Sequence, residues 1–305
     1  MSKNSYLTNL DFDNLIEKKI NLIKKIETPN ASVIIVTYNH SILLLKNLDS
    51  LNKQTVSDFE IIIIDNNEKN DIFPLIKNYP INYVKLKKNY GLSLARNIGI
   101  KLARGGIVIF LDDDALPAND FVEEHINAYK EYNIYGLRGK AVPATYSFYN
   151  YLAGLYNLGD KVIPCPICLE GNSSFKREVL IEIGGFNSEL KGAGGHEGLE
   201  LTYRFFNKYR DKSKLVYYPK AIIYHDGANT FYKYIKKILR STRHSELITT
   251  RFPRIWEFYS EYNLKPKKLT APNFTDRIKL KILLKFTAVI LRSRRIIIRI
   301  FKIIK

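Results

Sequence analysis

The chain has 305 residues, a formal net charge of +18 and an isoelectric point near 9.6. Hydrophobic residues make up 46% and charged residues 26%, which excludes a disordered chain, a collagen-like repeat and a heptad-only coiled coil. The length suits one large domain or two modest ones, and the two cysteines, Cys165 and Cys168, exclude a disulfide framework and point to a reducing compartment.

Leu10 to Ile26 has the spacing of a short amphipathic helix, broken at Thr28-Pro29-Asn30. Ser32 to Thr37 is an apolar, β-branched run that reads as a buried strand. Ile42 to Leu51 has helical spacing. Phe59 to Ile64 and Ile81 to Leu86 read as further strands, Gly91 to Arg104 as a helix, and Gly106 to Leu111 as a fourth strand. That strand ends in Asp112-Asp113-Asp114, and a helix follows from Asn119 to Tyr132. Continuous apolar strands alternating with helices predict an α/β fold with a mostly parallel sheet covered on both faces. Ligands of such sheets bind beyond the carboxyl ends of the strands. Three strands here end in polar or acidic residues, at Thr37-Tyr38-Asn39, Asp65-Asn66 and Asp112 to Asp114, and these ends are expected to share one crevice.

From Ile134 to Pro166 the pattern loosens and turns aromatic between Tyr146 and Tyr156, a stretch that packs or stacks on a sugar or lipid. Cys165-x-x-Cys168 has no second pair to complete a zinc site and reads as a structural loop. Gly171 to Phe175 leads into a short helix from Lys176 to Ile183, and Gly192 to Gly195 reads as a flexible loop. Leu199 to Tyr209 is helical, Lys214 to Tyr224 is strand-like and ends at His225-Asp226, and Asn229 to Thr250 is a basic amphipathic helix.

Three adjacent carboxylates at a strand end repel one another, so either a cation compensates them or they form an acidic turn before the next helix. Hard oxygen ligands favour Mg²⁺ or Mn²⁺. The order of SVIIVTYN, an Asp after the second strand, NYGLSLARNIGI, GGIVIFLDDDALP, GNSSFKREVLIEIGGF, GGHEGLELTYR and a late His225 resembles family 2 glycosyltransferases of the GT-A fold, over roughly residues 32–250. No single motif carries the likeness; their order and spacing do.

The resemblance implies a Rossmann-like, mostly parallel sheet and a sugar transfer with inversion at C1. It implies donor-binding roles for Thr37, Tyr38, Asn39, Asp65, Arg96, Asp112 and Asp113, with Thr37, Tyr38 and Asp65 at the nucleoside base, usually uracil. Asp114, His225 and Asp112 are the implied ligands of Mn²⁺ or Mg²⁺, and Gly171, Asn172, Ser173 and His196 are placed on the acceptor side. The family commonly carries Glu-Asp-x-Asp/Glu-Leu where this chain has His196-Glu197-Gly198-Leu199-Glu200-Leu201. Gly198 stands in the place of the Asp in one register; in another, His196-Glu197 replaces Glu-Asp with one residue inserted. Both registers leave Glu197 as the catalytic base and Glu200 as its support. The alternative for both acids is favourable charge in the first turn of a helix.

Charge is unevenly placed. Residues 265–305 hold thirteen Lys or Arg and one acid, Asp276, for +12, leaving only +6 on the first 264 residues. Arg277, Lys281, Lys285, Arg292, Arg295 and Arg299 recur so that they fall within one helical arc of about 100°. Ile282, Leu283, Phe286, Val289 and Ile297 lie largely outside it. Such a basic amphipathic helix suits an anionic membrane surface. A packed terminal helix with a solvated face is the plainer alternative, and no nucleic-acid module accompanies the charge.

The expected organisation is an N-terminal helical segment (1–30), a catalytic domain (31–250) and a basic helical extension (251–305). The N-terminus has no apolar signal core and no apolar run reaches the roughly 18 residues of a spanning helix, so a cytoplasmic protein on the inner face of the membrane is expected. A metal-dependent transferase moving a sugar from a nucleotide donor, UDP-linked by resemblance, to a saccharide or lipid-linked acceptor in bacterial surface polysaccharide synthesis fits these features. A dehydrogenase is excluded because no G-x-G-x-x-G follows the first strand. A non-catalytic membrane-associated or nucleic-acid-binding protein on a degenerate transferase fold is the rival, supported only by the missing Asp after Glu197.

Overall fold

The computed structural model describes residues 6–7, 11–23, 28–39, 41–145, 149, 156–190, 196–228, 230–265, 275–276, 278–279 and 281–290. One ten-stranded sheet organises them. Its central strands are β2 (Ala31–Thr37), β3 (Phe59–Asp65), β4 (Asn82–Leu86) and β5 (Ile107–Leu111), which pair in parallel in the order β4-β3-β2-β5. Beyond β5 the sheet continues through β9 (Asn172–Lys176), which runs antiparallel, to β7 (Gly136–Val142) and β10 (Leu215–Tyr224), which are parallel to each other. The short β6 (Leu116–Pro117) and β8 (Ile163–Pro164) pair antiparallel with β10.

The apolar alternation of the strands divides the core in two. Ile34, Ile62, Ile64, Val108 and Phe110 point to one face. There they meet α3 (Leu92–Leu102), α5 (Arg177–Glu182) and α6 (Glu197–Tyr209) through Ile98, Leu180 and Leu201. Val33, Ile35, Ile61, Ile63 and Ile109 point to the other, against α1 (Ser41–Leu51), α2 (Phe73–Ile76) and α4 (Phe121–Glu131). Strands covered on both faces have no polar side to alternate, which is why they read as continuous apolar runs. Each Ile or Leu buried this way contributes about 1.5–3 kcal/mol relative to exposure.

The N-terminal segment corrects the helix expected over Leu10 to Ile26. Ile16–Asn21 forms β1, an edge strand antiparallel to β4 with an irregular register between Ile16 and Lys18. Ile16 and Ile20 turn partly inward while Glu17, Lys18 and Lys19 face water. Their spacing of four fits a helix face as well as a bulged strand, and pairing with β4 decided between them. Charged residues on this exposed edge discourage further strand addition. The strands β7 and β9 also went unforeseen.

The chain then closes with α7 (Phe231–Arg251) and α8 (Ile255–Ser260). Ile248 of α7 and Ile255 and Phe258 of α8 pack on Leu199 of α6. A further helix over residues 281–290 rests on α7 through Leu283 and Tyr234. No helix among the described residues is long and apolar enough to cross a membrane. The Gly192–Gly195 loop, most of the aromatic stretch, Arg277, Arg292, Arg295 and Arg299 lie outside the described residues.

Candidate active site

The parallel register aligns Thr37 with Asp65, so the ends of β2 and β3 lie side by side, with β5 on the other flank of β2. The acidic run after β5 is shaped by two neighbours. Asn47, buried in α1, donates from Nδ2 to the carbonyls of Asp112 (3.1 Å) and Ala115 (2.7 Å). The Asp112 amide donates to the Gly171 carbonyl (3.2 Å). A Cβ on Gly171 would sit 1.9 Å from Asp112 Oδ2, so only a glycine lets this loop lie against the carboxylate.

Asp112, Asp114 and His225 can each place one ligand atom within 4.8 Å of the others. His225 Nε2 lies 3.2 Å from Asp114 Oδ1. The Nδ1 of His225 is buried and has no hydrogen-bond partner. Burial works against a charged imidazole, but the Asp114 hydrogen bond and the charges of Asp114 and Asp112 overcome it and raise the His225 pKa. Desolvation raises the Asp112 pKa, with Arg96 opposing and Asp114 adding. Two carboxylates and an imidazole turned on one point form a donor set that fits a divalent cation such as Mn²⁺ or Mg²⁺.

Arg96 comes from the middle of α3 and is buried. Its guanidinium packs by the rings of Phe110 and Phe186 and reaches Asp112 Oδ1 with NH2 at 3.4 Å. NH1 of Arg96 is buried without a partner. A desolvated guanidinium with a free donor beside the acid cluster is arranged to meet an anion.

On the β2 side, Thr37 has a buried, unpartnered Oγ1, while Tyr38 is 40% exposed. Asn67 donates to the Tyr38 carbonyl and to Asn39 Oδ1 and fixes this turn. Asp65 is placed differently from expectation. It is fully buried, accepting from Tyr83 (2.7 Å), Lys85 (3.5 Å) and the Asn67 amide (3.1 Å), so it supports the loop beneath the crevice. Asp113 is buried next to the cluster.

Glu197 opens α6 and is buried, with Oε2 accepting from the His196 amide at 3.0 Å. His196 itself bonds Ser245 of α7 through Nε2 (2.8 Å) and meets the Trp256 ring edge-on, which docks the start of α6 on α7 and α8. Burial lowers the His196 pKa, with Glu197 opposing.

Two expectations are corrected. Glu200 is fully buried in a two-point ion pair with Arg204 (2.8 and 2.9 Å), whose remaining donors cap the carbonyls of Ile183 and Gly185. It braces α6 against α5. Asn172 and Ser173 are also fully buried. Asn172 donates to the carbonyls of Lys140 and Ala221 and lies 3.2 Å from His125 Nε2, and Ser173 donates to the Glu170 carbonyl. An inserted antiparallel strand turns both groups into the sheet, so they bind the protein rather than an acceptor.

Glu170 was missed. Its Oε1 accepts the Gly198 amide at 2.6 Å, and burial followed by the charge of Glu197 pushes its pKa up to about 7, against the pull of Arg96. The available signal was Gly198, a glycine where the likeness called for an acid.

An acid cluster and a buried arginine beyond the carboxyl ends of parallel strands stand where ligands of α/β sheets bind. The sequence profile of Glycosyl transferase family 2 matches residues 32–184, and the chain belongs to that family. It is 36% identical over 124 residues to the uncharacterized glycosyltransferase YfnE of Bacillus subtilis, covering 39% of this chain and 32% of that protein. It is also 36% identical over 123 residues to the poly(ribitol-phosphate) beta-N-acetylglucosaminyltransferase TarP of Staphylococcus aureus, covering 36% of this chain and 38% of TarP. The matches span about a third of the length of these curated relatives. Among solved structures, the mannosyltransferase PcManGT of Pyrobaculum calidifontis, in complex with GDP-Man and Mn²⁺, superposes with a TM-score of 0.59 at 19% identity, covering 77% of this chain and 69% of that one. TarS 1-349 of S. aureus in complex with UDP gives 0.52 at 18%, covering 76% and 73%. These likenesses show that the fold is GT-A.

Proposed function

We propose that the protein is a metal-dependent, inverting glycosyltransferase. Its donor is a nucleotide sugar, UDP-linked in this reading, and its acceptor a saccharide or lipid-linked saccharide of a bacterial surface polysaccharide. The observation that carries the reading is the convergence of Asp112, Asp114 and His225 beside the free donor of Arg96. The activity of TarP, the UDP bound to TarS and the GDP-Man and Mn²⁺ of the mannosyltransferase agree with it.

Asp112, Asp114 and His225 would hold Mn²⁺ or Mg²⁺, which supplies positive charge for the departing diphosphate when bound. Arg96 NH1 offsets the same charge from α3. Tyr38 stacks the base and Thr37 and Asn39 bond it; Asp113 and the Gly171 backbone shape the donor pocket, and Asp65 holds its floor. A sugar hydroxyl is a poor nucleophile at neutral pH, so Glu197 takes its proton as the oxygen bonds to C1. The bond from C1 to the diphosphate breaks, the nucleoside diphosphate leaves, and one displacement inverts C1. His196 orients the acceptor side of Glu197. The basic tail places this chemistry at an anionic membrane surface on the cytoplasmic side.

The test is transfer or hydrolysis across a panel of nucleotide sugars with and without Mn²⁺, read by mass spectrometry. Asp114→Ala is expected to lose at least about 100-fold, the scale of a charge-stabilising group in a transition state. Equal rates in Asp114→Ala, or no dependence on metal, would overturn the metal role.

A further inference from the structure

Glu170 lies in the loop before β9, and its carboxyl accepts the Gly198 amide at Oε1 at 2.6 Å. That amide belongs to the first turn of α6, the turn that begins with Glu197. A Cβ on Gly198 would come within 2.7 Å of Glu170 Oε1 and 2.5 Å of the Ile167 carbonyl. A side chain at position 198 and the Glu170 carboxyl therefore compete for one space, and this chain fills it from position 170. Both glutamates are nearly solvent-free, at 7% and 2% exposure. The next residue along the loop, Gly171, lies against Asp112. One short segment thus ties the acid cluster to the start of α6.

Two buried carboxylates close enough to repel cannot both ionise at low cost. We propose that Glu170 is a positioning residue for the base: it clamps the first turn of α6 through the Gly198 amide and keeps its own proton, so that the pair does not carry two charges. The inference rests on Glu197 being the base of a glycosyl transfer. During transfer the acceptor proton goes to Glu197, and Glu170 gains and loses nothing. A neutral Glu170 still accepts the Gly198 amide. An ionised Glu170 repels Glu197 across the turn that both hold. The other charged or titratable groups facing Glu170 are Arg96 from α3, which favours its ionisation, and the Cys168 thiol of its own loop. The same burial and the same Glu197 charge raise its pKa to about 7.

The experiment compares wild type, Glu170→Gln and Glu170→Ala in two measurements from pH 5 to 8.5. In sugar transfer with Mn²⁺, the wild-type kcat falls about tenfold per pH unit above 7, as for loss of one essential proton. Glu170→Gln, which keeps the acceptor for Gly198 and cannot ionise, flattens that limb. Glu170→Ala, which loses the clamp and cannot ionise, lowers kcat about 10-fold below pH 7 with the donor KM unchanged and has no falling limb above it. In thermal unfolding, extended down to pH 4, Glu170→Gln is more stable than wild type above pH 7, and the difference fades as the pH falls to the ordinary carboxylate range near 4. A Glu170→Gln profile that keeps the wild-type limb, or a Glu170→Ala kcat equal to wild type below pH 7, overturns the proposal. If wild type transfers no sugar, the transferase reading is what fails, and equal unfolding midpoints for wild type and Glu170→Gln at all pH values still overturn the retained proton.

Discussion

Asp112 is surrounded by groups that pull its chemistry in different directions. Arg96 favours its charge, Asp114 opposes it, and the Gly171 backbone closes one side. The last contact is the most restrictive, because a backbone cannot swing away as a side chain can. Gly171→Ala is expected to cost about 1–3 kcal/mol from overpacking. It should also displace Asp112 and remove Mn²⁺-dependent binding of UDP. Calorimetric titration and thermal unfolding check both, and UDP affinity equal to wild type would refute the contact. Glu197→Gln makes a separate point at this scale. The amide retains an oxygen acceptor for the His196 amide but cannot take a proton, so kcat should fall by about 10²–10⁴ with donor binding intact. Of the single residues, the grouping of the strand ends was legible in the sequence, because a parallel sheet sends every such end to one side, but the burial of Asp65 against Tyr83 and Lys85 was not. Glu170 was not legible, because it reaches Gly198 across 28 positions and carries no spacing signal.

At the scale of elements, α6 shows how one helix carries two kinds of acid. Glu197 and Glu200 both sit in its first turn. They are three residues apart, yet Glu197 accepts the His196 amide at the helix start and Glu200 meets Arg204 one turn on. Arg204→Met leaves Glu200 as a buried, unpaired charge, which is expected to cost about 3–5 kcal/mol. Replacing both, with Glu200→Leu and Arg204→Met, should recover the part due to the unpaired charge, though not the caps on the Ile183 and Gly185 carbonyls. Urea unfolding of the three proteins measures the difference; a double variant no better than the single would show that Glu200 matters beyond its pair. The central strands and helices α1, α3 and α4 fell within a few residues of their expected bounds, because burial on both faces or on one stripe leaves a clear apolar pattern. The edge strand β1 and the inserted β9 did not. Their residues take strand form only when β4, or β5 and β7, supply the missing hydrogen bonds.

For the whole molecule, the terminal charge gains a surface. On the helix over residues 281–290, Ile282, Phe286 and Val289 are exposed together with Lys281 and Lys285, while Leu283 and Thr287 are buried, the former against α7. Phe231 and Tyr232 at the start of α7 are exposed as well, with Phe231 6.0 Å from Phe286. Apolar groups flanked by cations suit the headgroup boundary of an anionic bilayer. Deletion after Thr270 is therefore expected to abolish flotation with vesicles containing anionic lipid, and 0.5 M salt to weaken the intact chain's binding. Flotation unchanged by the deletion would rule out the tail as the anchor.

The sequence alone determined the α/β class, the crevice at Asp112 to Asp114, the base Glu197 as an expectation, and the division of charge between body and tail. Those properties follow from local composition, periodicity and motif order, which a linear reading retains. The tertiary structure decided which polar groups face the crevice and which face the protein. It turned Asn172 and Ser173 into the sheet, gave Glu200 to Arg204 and Asp65 to Tyr83 and Lys85, and brought Glu170 to the turn that Glu197 opens. The physical reason is desolvation: a buried polar group must find a partner, and the nearest partner in space is often far away in sequence.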